Sequence, residues 1–203
     1  MATFITNLYE QLSSLDFKNP ELAKKKYVVV HHSLTEDGKT VNWDAIRKYH
    51  MSWRVDGNSI TEEEAKEAQA AGKVVEAPWD DIGYNYGIEE ANGKLNFMMG
   101  HTLYKRGIHA AGFNTNGIGL CIIGNFQKVK PSKEKFEMAA LACQYMRKVW
   151  YDRLRTNLQI IGHRETFVLL KQPVHKDCPG SAWDMDLFRN VVFGTKTIDE
   201  AYA

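Results

Sequence analysis

Apolar positions set two rhythms along the chain. Phe4, Leu8, Leu12 and Leu15 recur at helical spacing, so a helix is predicted over residues 4–16, broken by Lys18-Asn19-Pro20. The continuous β-branched run at 27–32 predicts a buried strand, and Glu36-Asp37-Gly38-Lys39-Thr40 a turn. Trp43, Ile46, Tyr49 and Trp53 return to the helical period over 42–53, with Asn42 as cap and Asp44 in the first turn. Residues 56–80 are polar and read as an inserted excursion, with one helix-prone piece that ends at Gly72. Its acids at 62–64 suit the first turn of a helix. Two runs around Asn92-Gly93 within 82–101 signal a hairpin. Residues 117–126 and 157–163 read as two further core strands. Between them Phe136, Ala140, Cys143, Met146, Trp150 and Leu154 make one helical face, and 184–193 predicts a closing helix. Strands and helices mix without a strict βαβ rhythm. The fold class is α/β: a single domain with a central mixed β-sheet flanked by helices.

Composition narrows the partners. The chain has 203 residues, 44% hydrophobic and 25% charged, which suits one globular domain. A net charge of +1 gives no pull toward nucleic acid or anionic membrane. The one basic run, Lys24-Lys25-Lys26, reads as a solvated face beside a strand. No apolar stretch approaches the ~20 residues that span a bilayer, so stable membrane insertion is not expected. Asn7 and Glu10 interrupt a start that lacks a basic leader, so no signal peptide is read and synthesis in a cytoplasm is expected. Cys121, Cys143 and Cys178 are odd in number and widely spaced, which favours reduced thiols.

Several metal-ligating residue types fall at predicted strand ends. His31 and His32 close the first strand on opposite faces, so only one of them can join a given site. His163 ends another strand, and Cys178 lies in a Cys-Pro-Gly turn after it. A catalytic zinc takes three such ligands and keeps one position open. The spacing from His163 to Cys178 is no standard finger, and each histidine alone could be a satisfied polar group.

The ordered set "VVVHHS", "IGYNYGI", "GIHAAGFNTNGIGLCIIGNF", "IIGHRE" and "HKDCPG" resembles the zinc-dependent N-acetylmuramoyl-L-alanine amidases of the second amidase family. Peptidoglycan recognition proteins share that fold, and the small phage lysozymes that act as amidases are the closest in flavour. The resemblance runs from Tyr27 to Arg189. It leaves outside a helical extension at 1–20 and the insertion at about 56–80, and it implies a zinc amidase domain over 21–195 with a tail at 196–203. It implies one Zn²⁺ held by His31, His163 and Cys178, with Tyr84 and Lys176 catalytic, and with His109 and Asn114 on the substrate groove. His175 and Asp177 are competing ligands in a loop longer than in the smallest phage members. Cys121 stands where some members carry a glutamate, and Glu165 could orient a ligand imidazole or form a surface ion pair. Trp79 and Trp183 could stack on sugar or peptide, although aromatic residues are more often core.

The implied substrate is peptidoglycan, cut at the amide between N-acetylmuramic acid and L-alanine by a monomer. A phage or prophage endolysin that reaches the wall after release is the implied setting, with a cytoplasmic recycling amidase as the alternative. Some small phage amidases also bind a polymerase, but nothing in the extension or the insertion identifies such a regulatory partner. Two other readings compete: a peptidoglycan-binding module without catalysis, and a thiol hydrolase with Cys178 as nucleophile. Pro179-Gly180 directly after that cysteine suits a turn better than the helix start such nucleophiles use.

Overall fold

A computed structural model describes residues 2–34 and 42–203, with side chains from residue 8 onward. The turn expected at 36–40 lies outside the described residues, as does the Phe4 side chain. The elements run α1 (Ala2–Ser13), α2 (Pro20–Ala23), β1 (Tyr27–His32), α3 (Trp43–His50), β2 (Trp53–Val55), β3 (Asn58–Ile60), α4 (Glu62–Ala70), β4 (Tyr86–Ala91), β5 (Lys94–Met99), β6 (Gly117–Ile122), α5 (Lys133–Leu154), β7 (Gln159–Gly162), α6 (His163–Leu169), α7 (Met185–Val192) and α8 (Ile198–Tyr202). The main sheet has the order β5-β4-β6-β1-β7. β1 pairs in parallel with β6 and β7, while β4 is parallel to β6 and antiparallel to β5. The sheet is therefore mixed, as the chain's rhythm predicts.

Side-chain alternation assigns the two faces. Val28 and Val30 of β1, Ile118, Leu120 and Ile122 of β6, and Ile160 of β7 enter one large core under α1, α5 and α7. Val29 and Ile161 turn to the other face with Ala110 and Phe113. His31 keeps the parity of Val29, so β1 delivers its imidazole to that second face, and His163, which opens α6 directly after β7, sets its ring centroid 4.6 Å from that of His31.

Local chemistry explains most boundaries. Asn42 Oδ1 accepts from the Ala45 N–H to start α3. The helix stops at His50, short of the expected Trp53, because the buried Arg54 guanidinium takes up the Tyr49 and His50 carbonyls at 2.8 Å each. The excursion begins with a two-stranded hairpin, β2–β3, that turns at Asp56-Gly57, followed by α4 with a Thr61–Glu64 capping box. The basic run is not a uniformly solvated face. Lys25 is fully buried and donates to the Thr115 carbonyl at 3.0 Å. Among the described residues no helix is long and apolar enough to cross a membrane.

Candidate metal centre

Three segments distant in sequence converge on one point. β1 supplies His31, the β7–α6 junction supplies His163, and the turn after residue 177 supplies Cys178. One ligand atom from each lies within 4.8 Å of the others, and all three residues are buried. Cys178 Sγ stands 3.7 Å from His31 Nδ1, and the two imidazole centroids are 4.6 Å apart. This is the one cluster of metal-ligating side chains found among the described residues.

The cysteine turn is clamped onto the start of α6. The Arg164 N–H donates to the Cys178 carbonyl at 2.7 Å. The Arg164 guanidinium reaches Asp177 at 3.2 Å, the Gly180 carbonyl at 2.8 Å and the Trp183 carbonyl at 3.1 Å. Asp177 also accepts from Ser181 N and Oγ. Gly180 has φ +107° and packs so closely on Phe126 that an added Cβ would lie 2.2 Å from its carbonyl. His163 opens a helix rather than ending a strand. The Glu165 carboxylate accepts from the Gly162 N–H at 2.7 Å and pairs with Arg189, which turns the chain into α6. Glu165 therefore makes the ion pair and a cap, not a contact to an imidazole.

Burial sets the protonation of the donors. It lowers His31 well below the usual imidazole range, with His163 adding to the effect, and it lowers His163 to about 4, aided by Lys176. Both stay neutral and keep a lone pair to give. Burial also pushes the Cys178 thiol up to about 12. A thiol so placed, in a turn and with its pKa raised by burial, is a poor free nucleophile, but a bound cation would deprotonate it. Two neutral imidazoles and one thiol in a buried three-point set fit zinc, whose usual donors are nitrogen and sulfur.

The donors floor an open cleft of about 470 Å³ whose walls include Tyr84, Lys176 and His109. Lys176 is exposed at its rim. The Tyr84 ring sits 5.1 Å from His31. Burial, then the neighbouring Cys121 and Cys178, hold its phenol well above the usual range, and its hydroxyl is hydrogen-bonded to Cys121. His175 and Asp177 also line the cleft but stand outside the three-donor cluster. His32 borders the cleft too but stands outside the donor cluster, its Nδ1 accepting from the Phe126 N–H at 3.2 Å.

Asn114 departs from its implied place. It is buried, it is absent from the cleft lining, and its Oδ1 accepts from the N–H groups of His109 at 2.7 Å and Ala110 at 2.8 Å. The Asn114 oxygen is used within the fold, where it holds the His109–Ala110 backbone. Trp79, named from the sequence as a stacking surface or core residue, lines the cleft, and His50 is a cleft residue that pattern alone did not select. Their rings lie 4.5 Å apart, and the His50 Nδ1 accepts from Gly83 N–H at 3.1 Å. Trp183 is core, fully buried against Phe126, Phe136 and Phe188.

Residues 21–181 match the family described as N-acetylmuramoyl-L-alanine amidase. Over 117 residues the chain is 31% identical to peptidoglycan-recognition protein 2 of Holotrichia diomphalia, covering 55% of this chain and 49% of that protein. The chain spans about half the length of the curated relatives it matches first, at 49% and 44%. Among solved structures, the bumblebee recognition protein PGRP-SA superposes with a TM-score of 0.51 at 23% identity, over 81% of this chain and 80% of that one. The endolysin amidase LysCS from Clostridium intestinale also superposes at 0.51, at 14% identity over 85% and 86%. These likenesses show a shared fold.

Proposed function

The chain belongs to the N-acetylmuramoyl-L-alanine amidase family, and from that premise we propose that it is a zinc-dependent hydrolase that cuts the amide between N-acetylmuramic acid and L-alanine in peptidoglycan. The observation that carries this reading is the set His31, His163 and Cys178, with donor atoms within 4.8 Å at the floor of an open cleft. A zinc ion bound there would supply a water of lowered pKa and polarise the scissile carbonyl. His31, His163 and Cys178 hold the metal; the chain's other residues manage charge and protons. Lys176, on the cleft rim, offers an ammonium to the carbonyl oxygen as negative charge develops there. Tyr84, held as a neutral phenol, donates a hydrogen bond to the same region and relays the proton lost by the attacking water to the leaving amine, ending as the phenol again. The cleft binds the muropeptide as a monomer.

We propose a bacteriolytic setting for this chemistry: made in a cytoplasm, the enzyme lyses the wall after release, as a phage or prophage endolysin would. Lysis of permeabilised cells by added protein is the expected result; action only on small soluble muropeptides would favour recycling instead.

The direct test pairs metal analysis with release of L-alanine amino termini from purified cell wall. Wild type should carry zinc near one per chain and release alanine, and Cys178→Ala should lose both. Zinc held without release would favour a binding module. Release that persists under a strong chelator, with zinc absent, would sink the metal reading.

A further inference from the structure

We propose that His109 is a positioning residue that fixes which nitrogen of His31 faces the metal. The inference rests on the metal-site reading above. His31 Nδ1 is the nitrogen beside Cys178 Sγ, at 3.7 Å, so Nδ1 is the one aimed at the donor set. The other nitrogen, Nε2, lies 3.2 Å from His109 Nδ1. A neutral imidazole carries one proton, and a ligating nitrogen must offer its lone pair. The proton of His31 therefore sits on Nε2 and is donated to His109 Nδ1. With that hydrogen bond formed, Nδ1 is the only lone pair left on His31. The contact sets both the tautomer and the ring angle of the ligand.

The acceptor is itself tightly held. Asn114 Oδ1 takes the His109 and Ala110 N–H groups, which fixes the backbone beneath the ring. The ring lies across β6 where that strand has no side chains. A Cβ on Gly119 would come 2.7 Å from His109 Cγ, and one on Gly117 would come 3.1 Å from its Cε1. The two imidazoles meet edge to face at 88° with centroids 5.3 Å apart, a geometry suited to one ring donating in its own plane. His109 is not one of the three donors, and its remaining nitrogen, Nε2, is buried without a well-formed partner. A residue kept mainly to touch substrate would not need both glycines beneath it and an asparagine spent on its backbone.

Three variants of the full chain test this: His109→Leu, His109→Asn and Gly119→Ala. The readout is the dissociation constant for zinc alone, measured by competition with a chromophoric chelator, with circular dichroism to verify folding. Loss of an outer hydrogen bond to a ligand typically weakens metal binding about 10–100-fold, and His109→Leu should show that loss. His109→Asn places Oδ1 where Nδ1 was and should retain most of the wild-type affinity. Gly119→Ala displaces the ring and should weaken zinc as leucine does; it carries the test if the leucine variant does not fold. A folded leucine or alanine variant that binds zinc as tightly as wild type would overturn the inference, as would an asparagine variant as weak as leucine. Wild type without zinc affinity would overturn the metal reading, and the inference would fall with it.

Discussion

Two residues, Cys178 and Lys176, lie two positions apart and divide the electrostatics of the cleft. Cys178 is buried, its thiol is pushed up to about 12, and only a cation beside it makes the thiolate favourable. Lys176 is exposed on the rim, outside the three-donor cluster. Lys176→Ala should therefore leave zinc content unchanged while kcat for alanine release falls about 10²–10³-fold, the usual cost of removing one donor to a developing oxyanion. A parallel fall in zinc would make Lys176 structural instead. Punctuation marked the candidates, a strand end for His31 and His32, a Gly-His step for His163 and a Cys-Pro-Gly turn for Cys178, but their union as one ligand set came only from the family resemblance. The hydrogen bond to His31 was not legible. Nothing local in "GIHAAGFN" says that the loop folds His109 back over glycines of the following strand, or that the β1–β6 register brings His31 beside it.

At the scale of elements, period predicted faces but not partners. The spacing of Leu8 and Leu12 marks α1 as amphipathic; the structure adds that both are fully buried in the main core with Trp150 and Leu22. A helix outside the family match is thus part of the domain's interior. Leu12→Ala should cost about 2–5 kcal/mol in urea unfolding, as a buried leucine does; a cost near zero would show α1 to be an appendage. Short elements escaped for different reasons. β2 and β3 are three residues each, below what alternation can signal, although Asp56-Gly57 was a readable turn. α6 opens on His163 through the Glu165 cap, which looks in sequence like a strand running into a loop. Lys25 was misread because a lysine run suggests solvent. Its ammonium is enclosed, and burial lowers its pKa from 10.5 to about 8, opposed by Glu21 and aided by Lys24. Between those two pH values the unfolded chain binds more protons than the folded one, so this residue makes stability rise with pH. Any stability advantage of Lys25→Met over wild type should accordingly shrink between pH 8 and 10, as read from urea midpoints. An advantage independent of pH would mean that Lys25 keeps its charge throughout.

For the whole molecule, the donor set is a cross-link that the sheet prepares but does not complete. β1, the β7–α6 junction and the cysteine turn are joined by backbone pairing and by the Arg164 clamp, and a metal would add a third tie among them. A ligand that binds only the folded chain stabilises it by RT ln(1 + [L]/Kd), about 4 kcal/mol at a thousandfold excess over Kd. Because the three donors come from segments far apart in sequence, the unfolded chain cannot gather them, and little of that gain is lost to binding there. Chelator should therefore lower the melting temperature of wild type by several degrees, and added zinc should restore it. In Cys178→Ala the chelator should have no effect, because the third donor is gone while Arg164 still holds the turn. Lys176→Ala should respond as wild type does, since its ammonium donates nothing to the metal. A melting temperature indifferent to chelator in wild type would mean that the three segments are held by protein contacts alone, and the cleft would then have to be explained without a metal.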